Sequence, residues 1–217
     1  GGKTTGDVWS FTTIVAAPEK ATAPSPADAA AGVAISGTTL SWTAGARATS
    51  HDVYFGTASP GTSKGNQAGT TYNPGALTAA TTYYWRIDEK NVGGTTEGDV
   101  WSFTTAAAPG AATAPSPADA ATDVSITATL SWTAGSNTTS HDVYFGTSSP
   151  GESKGNQAGT TYNPGTLANA TTYYWRIDEK GAGGTTEGSV WSFTTIVAAP
   201  EKATAPSPAD AAAGVAI

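Results

Sequence analysis

Residues 40–105 return as residues 130–195, displaced by 90 positions, with 11 differences over 66 positions. A chain that copies itself this closely has to fold each copy the same way, so the unit to be read is one copy, not the whole length. The differences fall at positions 46–48, 58, 62, 76, 78, 79, 91, 92 and 99, and the runs LSWTAG, SHDVYFGT, TTYYWRIDEK and VWSFTT are unchanged. Drift between the patterned segments and constancy within them is the mark of one packed domain present twice. A longer period overlies the first: residues 8–35 are identical to residues 190–217, an offset of 182. The connector IVAAPEKATAPSPAD follows the first and third copies of VWSF, whereas AAAPGAATAPSPAD follows the second. These spacings predict two alternating domain types in a unit of 182 residues, and because 217 is 182 plus 35, a window of a longer periodic chain. The expected divisions are the closing strand of a preceding domain at 1–15, domains at 20–106 and 110–196, and the opening strand of a following domain at 201–217.

Within one copy the apolar residues recur at every second position, the period of a half-buried strand. Strands are expected at 39–43, 50–56, 81–89 and 99–105, with short ones near 64–67 and 70–73. Residues 21–35 contain Pro24 and Pro26, which cannot donate to a ladder and suit an edge strand. About seven short strands in about 90 residues, with no sustained helical period, predict an all-β chain of tandem antiparallel β-sandwich domains. Trp42, Tyr83, Trp85 and Trp101, with their copies Trp132, Tyr173, Trp175 and Trp191, are the expected structural core, joined by Leu40, Val53, Phe55 and Ile87. Without any cysteine, such a core must stabilise each domain without a disulfide.

The run Leu77, Thr81, Tyr83, followed by Trp85 and Ile87, resembles the tyrosine corner and sixth strand of fibronectin type III domains, which belong among the Ig-like folds. Leu40, Ser41 and Trp42 resemble their second strand. The second copy repeats both motifs at Leu167, Thr171, Tyr173, Trp175 and Ile177 and at Leu130, Ser131 and Trp132. The resemblance implies that the hydroxyls of Tyr83 and Tyr173 bond back to nearby backbone. It carries no chemistry of its own. The tandem arrangement looks like the repeats of large bacterial secreted or cell-surface proteins.

Seventeen acidic residues against ten Lys and Arg leave a formal charge of -7, which argues against a nucleic-acid partner. No apolar run approaches the length of a transmembrane segment. The two histidines, His51 and His141, are one residue occurring twice, and the adjacent Asp52 and Asp142 point to the opposite face of the strand, so each is read as a structural histidine. Asp88, Glu89, Glu97 and Asp99 are the carboxylates a calcium ion could use, but no dedicated calcium loop is present. No nucleophile motif and no phosphate loop occurs, so neither a catalytic nor a cofactor-binding residue is assigned, and no enzymatic activity is expected. The candidate contact face is the outward side of strands 50–56 and 81–89, where Asp52, Tyr54, Tyr84 and Arg86 would gather with a cross-strand pair between Arg86 and Asp52. It is repeated as Asp142, Tyr144, Tyr174 and Arg176. Tyr and Arg are favoured where surfaces dock.

From these features the expected function is structural: an extracellular or cell-surface repeat protein forming a filament, stalk or sheath. Its partners would be neighbouring repeats or subunits of the same kind. The alternative is a spacer or carbohydrate-binding module of a secreted enzyme or adhesin, with a polysaccharide partner.

Overall fold

A computed structural model describes residues 1–200. The first copy forms nine strand segments: β1 (Thr22–Ser25), β2 (Ala30–Val33), β3 (Leu40–Thr43), β4 (Ser50–Gly56), β5 (Thr62–Gln67), β6 (Thr71–Tyr72), β7 (Thr82–Asn91), β8 (Gly94–Thr96) and β9 (Trp101–Thr105). The second repeats them as β10 (Thr113–Ser116), β11 (Ala121–Val124), β12 (Leu130–Thr133), β13 (Ser140–Gly146), β14 (Glu152–Gln157), β15 (Thr161–Tyr162), β16 (Thr172–Gly181), β17 (Gly184–Thr186) and β18 (Trp191–Thr195). Each copy is a two-sheet sandwich. In the first, one sheet has the order β1-β3-β6 and the other β2-β9-β7-β4-β5, with β8 folded back on β7. The second copy has the same two orders in its own strands. Among the described residues no helix is long and apolar enough to cross a membrane.

The period-two pattern explains which residues fill each sandwich. On β4, His51, Val53 and Phe55 are buried and their neighbours are not; on β7 the same alternation runs through Tyr83, Trp85 and Ile87, after which Asp88 and Glu89 are both buried. Register brings these rows side by side, with Val53 opposite Ile87 and Phe55 opposite Trp85. Leu40 and Trp42 close the core from the other sheet, and Trp101 meets Trp85 with ring centroids 4.7 Å apart. Phe55, Tyr83 and Phe103 stack against one another as a three-ring cluster. Trp132, Tyr173, Trp175 and Trp191 occupy the same buried places in the second sandwich. Each large aromatic side chain buried this way contributes about 2–3 kcal/mol.

The segment expected as one edge strand at 21–35 divides between the sheets. β1 pairs antiparallel with β3, and β2 pairs parallel with β9. Pro26, with no N–H to give a ladder, stands where the first pairing ends. Asp28 fastens the crossing, its carboxylate accepting the Ser102 N–H at 2.8 Å.

Residues 1–15 form no strand. β9 and β18 each exist between two partners, β7 and β2 or β16 and β11, and none of the described strands pairs with residues 8–13. Trp9 and Phe11 are accordingly 91% and 90% exposed, while the same residues of the copy, Trp191 and Phe193, are 7% and 1% exposed. The strand expected at 201–217 lies outside the described residues.

Candidate functional site

His51 lies inside the sandwich, where β4 faces β7, and it has a carboxylate partner. Register places His51 opposite Glu89, and its Nδ1 meets Glu89 Oε2 in a short contact with both residues buried. The other carboxylate oxygen of Glu89 accepts the Gly45 N–H at 3.1 Å, tying the β3–β4 loop to β7. Trp42 packs edge-on against the imidazole at 5.5 Å between ring centroids. In the second sandwich the Gly135 N–H donates to Glu179 at 3.4 Å, and Trp132 Nε1 donates to His141 Nδ1 at 3.4 Å. Carrying the alternation of β7 one step beyond Ile87 puts Glu89 on the inner face. That alternation is legible in the sequence, whereas Asp52, the carboxylate next along the chain, faces outward.

On the outer face, β4 and β7 bring Tyr54 and Arg86 directly opposite each other. The guanidinium lies 4.5 Å over the Tyr54 ring, and Arg176 covers Tyr144 at the same distance. Arg86 also donates to Asp88 Oδ2 at 3.0 Å and to Glu97 Oε1 at 2.6 Å, so its side chain is only 13% exposed. Asp88 is buried beneath this arginine, and its second oxygen accepts the Gly98 N–H at 3.0 Å.

The expected pair between Arg86 and Asp52 is not formed. Register sets Asp52 opposite Asp88, two residue pairs along the ladder from Arg86, and the arginine turns to Asp88 and Glu97. Asp52 instead pairs with Lys90 at 3.0 Å and accepts a hydrogen bond from Asn66 at 2.8 Å, as Asp142 does from Asn156. Burial pushes the Asp52 carboxyl up, but the bonds from Asn66 and Lys90 outweigh it and hold the group below its ordinary value. Tyr84 and Tyr174 lie half-buried on the same outer face, facing Ser102 and Ser192 on the neighbouring strands.

The four carboxylates considered for calcium are divided among three cations or donors: Asp88 and Glu97 bind Arg86, Glu89 binds His51, and Asp99 binds Lys20 at 2.5 Å. Among the described residues no group of three His, Cys, Asp or Glu is placed to hold a metal ion. The face is therefore a set of pairs made within the sandwich, with Tyr54, Arg86, Asp88 and Glu97 holding one another in place.

The tyrosine hydroxyls lie where the resemblance to fibronectin type III implies. Tyr83 accepts the Thr78 N–H at 3.0 Å, and Tyr173 accepts the Ala168 N–H at 3.0 Å.

No protein-family model and no curated protein matches the sequence. Among solved structures, the chain is similar to the chicken CNTN1 FN1–FN3 domains at 14% identity and a TM-score of 0.39, covering 83% of this chain and 69% of that one. It is similar to the fibronectin(III)-like modules of Clostridium thermocellum CbhA at 16% identity and a TM-score of 0.37, covering 80% and 91%. For titin domains A168–A170 the values are 16% identity, a TM-score of 0.43, and coverage of 83% and 66%.

Proposed function

We propose that this chain is a structural segment of a long extracellular array, in which two alternating β-sandwich types repeat every 182 residues to build a filament, stalk or sheath. One observation carries the reading. The segment VWSFTT at residues 8–13 has the residues of a closing strand yet presents Trp9 and Phe11 to solvent, while its identical copy in β18 is buried. Leaving two aromatic side chains of this size in water forgoes about 2–3 kcal/mol each, and a sheet like the one that buries their copies in β18 would recover it. The outer face of β4 and β7, with its paired charges and covered tyrosine ring, serves in this reading as a solvated wall of the array.

The mass of the intact natural protein tests the proposal directly. A mass several times 21.6 kDa, with regular fibres whose axial repeat matches one or two sandwiches by electron microscopy, is the expected result. A natural product near 21.6 kDa without fibres overturns it.

A further inference from the structure

Each sandwich holds the connector that precedes it, and the contacts differ in kind between the two copies. In the first, the Glu19 N–H donates to the Ala46 carbonyl at 2.9 Å and Arg47 Nε donates to the Ala17 carbonyl at 3.2 Å. Thr96 Oγ1 donates to the Pro18 carbonyl at 2.6 Å, and Asn91 Nδ2 donates to the Ala16 carbonyl at 2.9 Å. Two ion pairs complete the set, Lys20 with Asp99 at 2.5 Å and Arg47 with Glu19 at 3.5 Å. The connector lies so close that a methyl group on Gly45 or Gly93 would collide with the Glu19 or Val15 carbonyl.

The connector before the second sandwich is held by the matching backbone bonds. Gly110 N–H donates to the Ser136 carbonyl at 2.8 Å, Thr186 Oγ1 donates to the Pro109 carbonyl at 2.7 Å, and Asn137 Nδ2 reaches the Ala108 carbonyl at 3.4 Å. Glu19 and Lys20 are replaced there by Gly110 and Ala111, and Arg47, Asn91 and Asp99 are replaced by Asn137, Gly181 and Ser189. More than half of the differences between the copies, positions 46–48, 91, 92 and 99, thus belong to three segments beside the connector: the β3–β4 loop, the end of β7 with its turn into β8, and the loop before β9. Arg47 holds a left-handed backbone, φ 68°, a conformation that suits the Asn137 of the other copy (58°) far better than an arginine. The strained choice occurs where the connector offers Glu19.

We infer that these loops form a matched clamp, charged in the first sandwich and neutral in the second, so that each sandwich recognises its own connector. The shared backbone bonds place the connector, and the side-chain pairs distinguish one connector from the other. This inference stands on contacts within the chain and does not depend on the array proposed above.

A double-mutant cycle in the full chain tests it, read by hydrogen exchange of the 14–20 segment with the denaturation midpoint measured alongside. The variant R47N/D99S converts the clamp, E19G/K20A converts the connector, and the four-fold variant converts both. Exposed ion pairs of this kind lead us to expect about 2- to 10-fold faster exchange in either double variant, reduced in high salt. The four-fold variant should exchange no faster than either double, because the partners act together. Exchange unchanged in both double variants, or effects that simply multiply in the four-fold variant, overturns the inference. An unchanged denaturation midpoint shows that the sandwich itself remains folded in each case.

Discussion

His51 and Glu89 face each other across β4 and β7 as a buried imidazole–carboxylate pair, and the same carboxylate also holds the Gly45 N–H. One carboxylate oxygen of Glu89 meets the imidazole and the other accepts the Gly45 N–H, so a single side chain serves both groups. Removing the carboxylate leaves two buried polar groups unpartnered, which is costlier than the pair is worth when intact. Glu89→Ala should destabilise the first sandwich by about 3 kcal/mol, and Glu89→Gln, which keeps an acceptor for Gly45, by about half as much. Urea denaturation of the two variants decides this; equal losses would show that charge, and not the missing acceptor, dominates.

The Tyr83 hydroxyl accepts the Thr78 N–H at 3.0 Å, while its ring stacks on Phe55 at 5.1 Å. The two contributions separate cleanly in Tyr83→Phe, which keeps the stack and leaves one backbone N–H short of a partner. A loss of about 1–2 kcal/mol is expected. Tyr83→Ala, which also empties the core position, should cost about 3–5 kcal/mol. Denaturation midpoints with unchanged slopes would confirm that both act on stability alone.

Much of this was legible from alternation alone. The rows Val53 and Phe55, Tyr83 to Ile87, and Trp101 with Phe103 are buried because strands turn every second side chain inward. Partner choice on the outer face was not legible, because it depends on register. A difference of two residue pairs along the ladder separates the expected Arg86–Asp52 pair from the Tyr54–Arg86 stack that forms. The division of residues 21–35 between two sheets was equally hidden: Pro26 marks a break in pairing, but only the contact of Asp28 with Ser102 shows where the chain goes next. The His51–Glu89 pair lay between these cases, readable from periodicity once β7 is carried to its full ten residues.

Asp52 makes the first sandwich sensitive to acid. Its folded pKa is lowered, because bonds from Asn66 and Lys90 outweigh the opposing effect of burial. A carboxyl depressed in the folded state binds protons more weakly there than in the unfolded chain. Its contribution is therefore complete above the unfolded value, about 3.9, and is lost as pH falls through the folded value below it. Asp52→Asn removes the titration, so its stability should be lower than the parent's at neutral pH and the two should converge in strong acid. Denaturation midpoints measured from pH 7 down to about 2 test this. A gap that stays constant over the whole range contradicts it.

Arg86 joins three elements of the outer face: it covers Tyr54 on β4, binds Asp88 on its own strand β7, and reaches Glu97 in the loop before β9. These contacts need a flat group with donors pointing in several directions. A lysine supplies the charge but has neither the flat face nor the fork. Arg86→Lys should therefore lose most of the network, at a cost of about 1–2 kcal/mol, and a large part of that loss should survive high salt because Arg86 and Asp88 are largely shielded from solvent. Glu97→Gln removes only the exposed end and should cost about 0–1 kcal/mol, fading as salt is added. If Arg86→Lys proves neutral while Glu97→Gln does not, the exposed ion pair, and not the stacked guanidinium over Tyr54, is what holds the face together.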